Sequence, residues 1–251
     1  MKMPPATVLW AFVALVLPVS LHAETARVAV AANFTAPMKL LAESFEKQTG
    51  HKAQLSFGST GKFYAQIKGG APFDVLLSAD DETPARLEAE GDTVPATRFT
   101  YAIGRLVLWS ATPGLVDDQG EVLRRNSFRH LAIAAPKLAP YGAAAIETLT
   151  RLGLLAAVQP KFVQGESIGQ TFNFVATGNA ELGFVALSQV YENGRLTRGS
   201  GWVVPAGMHS PLQQDAVLLT PGRNNPAATA LLQFLKTEPA RALMRGYGYA
   251  H

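Results

Sequence analysis

The sequence predicts an α/β fold in which mostly parallel sheets are flanked by helices. Short apolar runs alternate with helical patterns from Arg27 to the C-terminus, and the links between them are short. The 251 residues, 48% hydrophobic and 16% charged, have the composition of a globular chain rather than a disordered, fibrous or multi-span membrane one. No repeat and no low-complexity tract interrupts the alternation.

The elements follow in order. Arg27–Ala31 reads as a buried strand. Ala36–Gln48 reads as a helix with Met38, Leu41 and Phe45 along one side, stopped by Gly50. Strand Lys52–Phe57, helix Thr60–Lys68 and strand Phe73–Ser78 come next. Helix Asp81–Glu90 tolerates Pro84 in its first turn. Phe99–Trp109 is one long, apolar, extended run. Strand Leu131–Ala134, helix Gly142–Leu152, strand Lys161–Gln164, helix Ile168–Thr177 and strand Leu182–Ala186 continue the alternation. A last strand, Gln213–Leu219, precedes helices Pro226–Lys236 and Pro239–Arg245.

The start of the chain stands apart. Lys2 precedes an apolar stretch, Ala6–Leu21, and a small residue, Ala23, stands before Glu24, the layout of a cleaved secretory signal peptide over residues 1–23. The stretch is shorter than the roughly 20 apolar residues a spanning helix needs. The chain has no cysteine, which excludes disulfides, cysteine-ligated metals, a thiol nucleophile and a lipid-modified N-terminal cysteine. Its 22 Lys+Arg against 19 Asp+Glu, a net charge of +3, argue against nucleic acid as a partner. Arg124, Arg125, Arg129 and His130 form the one basic cluster and read as a solvated turn.

In α/β sheets ligands bind beyond the carboxyl ends of the strands, where helices begin. Those junctions are Ala32–Thr35, Gly58–Gly61, Pro136–Gly142 and Gly165–Gly169, and glycine, hydroxyl or amide residues recur in them. Helix N-termini offer free N–H groups and a favourable dipole to an anion. The same residue types are also ordinary helix caps, so capping and binding are both open for each junction taken alone.

Catalytic motifs fail in detail. Gly58-Ser59-Thr60-Gly61-Lys62 resembles the end of a phosphate-binding loop, but Phe63 stands where Ser or Thr is required. Ser59 and Lys62 have the spacing of a Ser-x-x-Lys pair without its companion motifs. Gly165-Glu166-Ser167-Ile168-Gly169 is a literal nucleophile elbow, with Asp215 and His251 following in hydrolase order. A secreted serine hydrolase using Ser167 is therefore the alternative function, though His251 is the terminal residue.

The mature chain resembles the periplasmic molybdate-binding proteins of ABC uptake systems. Val30–Thr35, Ser56–Thr60 and above all Gly70–Asp80 carry the likeness. Ala139–Gly142, Leu182–Ala186 and Tyr247–Tyr249 add to it. The resemblance implies a non-enzymatic, monomeric receptor with two lobes joined by crossing strands, closing over its ligand in the cleft between them. The first lobe would comprise residues 24–104 and 205–251, and the second residues 105–204. The resemblance also implies that Asn33, Ser59 and Thr60 contact a molybdate or tungstate oxyanion from the first lobe. Tyr141 and Ile168 would do so from the second, largely through backbone N–H groups. All would be ligands of the anion's oxygens rather than of the metal, and no cofactor is implied. The implied partner is a membrane permease. Ala186 stands where many relatives place a tyrosine, Ala32 where some carry a hydroxyl, and Thr60 where serine is usual, so the number of bonds to the ligand is open. Lys62 reads as a solvated helix residue, and Tyr141 also fits plain core packing.

The residue chemistry matches such a ligand. An unprotonated tetrahedral dianion only accepts hydrogen bonds, and a site made of donors suits it. Monohydrogen phosphate needs an acceptor for its proton, and none of these residues is a carboxylate. Glu166 is near enough in sequence to supply one if its turn faced inward. Sulfate is equally unprotonated, and cavity size alone separates it from molybdate.

Overall fold

The computed structural model describes residues 23–250, so the signal-peptide expectation for residues 1–23 lies, but for Ala23, outside the described residues. The chain forms β1 (Thr25–Ala31), α1 (Thr35–Thr49), β2 (Lys52–Gly58), α2 (Thr60–Lys68), β3 (Val75–Leu77), α3 (Glu82–Ala89), β4 (Phe99–Gly104) and β5 (Leu106–Ser110). A single turn, α4 (Val122–Arg125), leads to β6 (Leu131–Ala134), α5 (Pro140–Arg151), the turn α6 (Leu155–Val158), β7 (Phe162–Gly165), α7 (Ile168–Ala176) and β8 (Leu182–Ala186). The short β9 (Tyr191–Glu192) and β10 (Arg195–Leu196) form a hairpin. β11 (Ser200–Val203), β12 (Leu212–Leu218), α8 (Pro226–Leu235) and α9 (Glu238–Gly246) close the chain.

Two five-stranded sheets, ordered β2-β1-β3-β12-β4 and β11-β5-β8-β6-β7, make a two-lobed α/β protein with helices on the sheet faces. The strand–helix repeats pair in parallel, β1 with β2 and β3, and β6 with β7 and β8. Each sheet is mixed, however, because β12 runs antiparallel to β3 and β4, and β5 antiparallel to β8 and β11. The antiparallel strands lie where the chain passes between sheets. The run Phe99–Trp109 divides at Arg105, its first half joining one sheet and its second half the other.

Local chemistry sets the boundaries. Gly50 closes α1 in the left-handed region at φ 74°, its N–H reaching Glu46 O at 2.9 Å, a conformation that favours glycine. Helix α5 starts two residues earlier than the sequence suggests, because Pro140 fits a first helical position and its missing N–H costs nothing there. The strand expected over Phe73–Ser78 is ordered only over Val75–Leu77. The buried Asp74 carboxylate accepts hydrogen bonds from Arg27 N (2.7 Å), Nε (3.2 Å) and Nη2 (3.1 Å). Most of the Gly70–Asp80 motif is thus scaffold: it pins β3 to β1 and turns the chain into α3.

Each sheet has its own core. Val28, Val30, Phe34, Phe45, Leu77 and Leu231 pack in the first lobe, and Leu108, Leu131, Ile133, Leu149 and Phe184 in the second. Ala31, Ala32 and Ala79 of the first lobe pack into the second lobe's cluster, so the lobes touch directly. Gly61 N also donates to Leu138 O (2.9 Å) and Ser188 Oγ to Asn33 O (2.8 Å) across that contact.

Candidate functional site

The structure brings all five predicted site residues to one place. Asn33, Ser59, Thr60, Tyr141 and Ile168 line a single small cavity of about 10 Å³ between the lobes, with Ala31, Ala32, Gly58, Ala79, Ala139 and Pro140 completing its wall. Its lining contains no acidic or basic side chain. It is far smaller than the roughly 300–1,000 Å³ of pockets for drug-sized molecules, which limits any guest to very few atoms.

Helix starts supply its donors. Thr60 and Ile168 are the first residues of α2 and α7, and Tyr141 is the second of α5. Their N–H groups have no acceptor within their own helices. Neighbouring first-turn groups are already used: Gly142 N donates to Ala139 O (2.8 Å) and Gln170 N to Ser167 Oγ (3.2 Å). Close backbone approach makes this geometry possible. A Cβ on Gly142 would lie 2.2 Å from Ala134 O, and one on Gly169 would lie 3.2 Å from Ala32 Cβ.

The first lobe adds hydroxyls. Ser59 precedes α2 but does not cap it, and its Oγ is buried without a partner. Thr60 Oγ1 accepts from Ala79 N at 3.0 Å and lies 3.4 Å from Ser78 Oγ, which fixes the side chain at the cavity wall. The second lobe's hydroxyl behaves differently, since Ser167 Oγ caps α7.

Asn33 anchors a buried polar network. It lies in the 3-10 turn Ala32–Phe34, which intervenes between β1 and α1 and which the sequence reading did not anticipate. Its Nδ2 donates to Gln214 Oε1 (2.9 Å) and to Tyr249 OH (2.9 Å), while its Oδ1 is buried without a partner. Gln214 Nε2 donates to Tyr141 OH across the lobes (3.1 Å), and Tyr101 OH lies 2.9 Å from both Gln214 Oε1 and Ser78 O. The ring of Phe34 stands edge-on to Tyr101 and Tyr249, with centroids 4.9 and 5.4 Å away. Such pairs contribute roughly 0.5–1.5 kcal/mol each and hold the phenols in place. Burial drives the Tyr141 phenol well above its ordinary pKa, with Tyr249 adding to the effect. Burial likewise raises Tyr249, so both remain protonated.

Gln214, Tyr101, Tyr249 and Ser188 are the residues that sequence reasoning missed as parts of the site. The available signal was the polar run Gln213–Gln214–Asp215, which breaks the polar–apolar alternation of a strand and of which Gln214 and Asp215 are both buried.

Glu166, whose sequence position allowed an inward turn, instead pairs with Lys62 across the cleft rim, and both side chains are well exposed. The hydrolase reading of Ser167 finds no catalytic partner among the described residues. Asp215 is bound to Arg98 Nη1 (2.8 Å) and Thr100 Oγ1 (2.7 Å), and His251 lies outside the described residues. No group of His, Cys, Asp and Glu side chains among the described residues could hold a metal ion directly. A wider groove beside the cavity is lined by Asp80, Asp81, Glu82 and Glu147 against the single Lys137, an environment that repels anions.

Known proteins share this architecture. Residues 26–250 match the model of the bacterial extracellular solute-binding protein family. The molybdate-binding protein ModA of Azotobacter vinelandii is 62% identical over 91% of this chain and 90% of its own. That of Rhodobacter capsulatus is 51% identical over 94% and 93%. The solved periplasmic molybdate-binding protein of Azotobacter vinelandii superposes with a TM-score of 0.87 at 44% identity, covering 90% of this chain and 99% of the other. Matched over nearly its whole described length, the chain belongs to the bacterial extracellular solute-binding protein family, alongside these ModA proteins.

Proposed function

We propose that this protein is a periplasmic receptor that captures molybdate or tungstate and delivers it, as a monomer, to the permease of an ABC transporter. The carrying observation is the convergence of Asn33, Ser59, Thr60, Tyr141 and Ile168, from four strand-to-helix junctions on two sheets, on one cavity that lacks charged side chains. The ligands would be the hydroxyls of Ser59 and Thr60, the carboxamide of Asn33, and the N–H groups of Thr60, Tyr141 and Ile168. Residues 24–104 and 205–251 would move as one lobe and 105–204 as the other. The relatives' names support the choice of molybdate, and a lining rich in donors and free of carboxylates supports an unprotonated dianion.

Neutral donors also reconcile capture with release. The dianion's charge is shared among preorganised dipoles, which avoids the desolvation of a buried lysine or arginine. Monohydrogen phosphate carries a proton that calls for a strong acceptor, and no carboxylate lines the cavity to take it; once the Asn33 amide presents its N–H2 to the anion, that unmade bond costs about 1–3 kcal/mol. Calorimetric titration with molybdate, tungstate, sulfate and phosphate tests the reading. Tight binding of molybdate and tungstate with no heat from phosphate is expected. Phosphate binding without molybdate binding would reject it, and a preference for sulfate would keep the site but change its cargo.

A further inference from the structure

The buried network around Asn33 presents a conflict with the anion, and its resolution involves a residue outside the cavity wall. As the structure stands, Asn33 Nδ2 gives both hydrogens to Gln214 and Tyr249. The unpartnered atom of that side chain is Oδ1, an acceptor. An unprotonated dianion offers no hydrogen to an acceptor and repels it. A carboxamide is nearly isosteric about a half-turn, which exchanges its oxygen for its N–H2. Asn33 cannot make that half-turn alone, because its Oδ1 would then face Gln214 Oε1 at the 2.9 Å now spanned by a hydrogen bond.

We propose that Gln214 is the positioning residue of the anion site: its carboxamide turns together with that of Asn33, so that Asn33 Nδ2 meets the anion and Gln214 Nε2 holds Asn33 Oδ1 from behind. The paired turn leaves no buried group unmatched. Gln214 Nε2 donates one hydrogen to Asn33 Oδ1 and the other to Tyr101 OH, whose own proton goes to Ser78 O at 2.9 Å. Gln214 Oε1 accepts the Tyr141 proton across the lobes, over the 3.1 Å that now carries the reverse bond. Tyr249 OH, 2.9 Å from the Asn33 amide, stops accepting from Nδ2, and its proton moves to Oδ1 from Asn33 O (3.1 Å) and Ser188 Oγ (3.0 Å), while Ser188 Oγ keeps Asn33 O paired at 2.8 Å. The same half-turn therefore reverses the bond that joins β12 of one lobe to α5 of the other. Gly104 makes room for this: a Cβ there would lie 2.1 Å from Tyr141 OH and 2.4 Å from Gln214 Nε2.

The inference rests on the oxyanion reading of the site, and two anions of equal charge separate the two. In mildly alkaline buffer, molybdate and hydrogen arsenate are both dianions, but only the second carries a proton. The carboxylate of Gln214→Glu accepts and does not donate, so it locks Asn33 Nδ2 toward residue 214 and leaves Oδ1 at the cavity. Its added charge acts on both anions alike. The expected result is a fall of about 10- to 150-fold in molybdate affinity, the worth of one hydrogen bond to a charged group. Hydrogen arsenate, which the wild-type protein should bind only weakly, should gain at least tenfold relative to molybdate in the variant, because its proton can use the acceptor. An unchanged ratio of the two affinities, or unchanged molybdate affinity, would overturn the role of Gln214. A wild-type protein that binds no molybdate would instead reject the oxyanion reading itself. Should Gln214→Glu fail to fold, nitrogen-15 spectra of the wild-type protein decide the matter. Molybdate should shift the side-chain NH2 signals of Asn33 and Gln214 together; movement of the Asn33 pair alone would overturn the proposal.

Discussion

Two stretches of similar sequence, Gly58-Ser59-Thr60-Gly61 in the first lobe and Gly165-Glu166-Ser167-Ile168-Gly169 in the second, use their serines in opposite ways. Both place a serine just before a helix at the end of a parallel strand. Ser167 Oγ accepts from Gln170 N and is spent on its own helix, whereas Ser59 Oγ is buried, uncapping and unpartnered beside the cavity. The contrast divides the labour between lobes. On the proposed reading, the first would contribute side-chain donors together with the Thr60 N–H, and the second backbone N–H groups alone. It also shows why a serine at a helix start is no evidence for binding until the fate of its hydroxyl is known.

Substitution at the two serines should break the comparison if it is wrong. Ser59→Ala removes a donor aimed at a charged ligand, and molybdate affinity should fall by about 1.5–3 kcal/mol in calorimetry. Stability without the anion should hold or rise, since the hydroxyl has no partner to lose. Ser167→Ala should do the reverse: lose about 1 kcal/mol of folding stability in denaturant titration with affinity little changed. Equal effects of the two changes on affinity would erase the distinction.

A smaller effect sharpens the same point. No carboxylate or basic side chain lines the cavity, and burial raises the pKa values of Tyr141 and Tyr249, so their protons stay on through the neutral range. Molybdate affinity should therefore be flat between about pH 6.5 and 9, a range in which histidines and free amines would otherwise titrate. Stability should not be flat at lower pH. Asp117, held below its usual value mainly by the backbone N–H of Glu121, loses its stabilising contribution as pH falls through that lowered value. A step in affinity without a step in stability would place a titrating group in the site.

Much of this was legible in the sequence. Strand–helix alternation located the four junctions, and the Gly70–Asp80 likeness pointed to the family, although in the structure that motif braces the fold, Asp74 binding Arg27 and Ala79 binding Thr60, and only Ala79 of it reaches the cavity wall. The mixed character of the sheets was hidden, because Phe99–Trp109 reads as one apolar run and only the tertiary fold sends its halves to different sheets. The Asn33 network was hidden for a related reason. Gln214 and Tyr249 are 181 and 216 residues away from Asn33 along the chain. The register between β12 and β4 shifts between Gln214 and Asp215, and this irregularity lets two successive polar residues both be buried. Strand periodicity alone predicts that one of them faces outward.

The central claim is that neutral dipoles, not cations, hold the oxyanion between the lobes. A crystal structure of the molybdate complex tests it most directly. The account predicts a tetrahedral anion with Ser59 Oγ, the N–H groups of Thr60, Tyr141 and Ile168, and Asn33 Nδ2 within about 2.7–3.2 Å of its oxygens. No lysine or arginine should reach them. An anion held by Lys62 or Lys137, or lodged in the acidic groove beside Glu147, would contradict it.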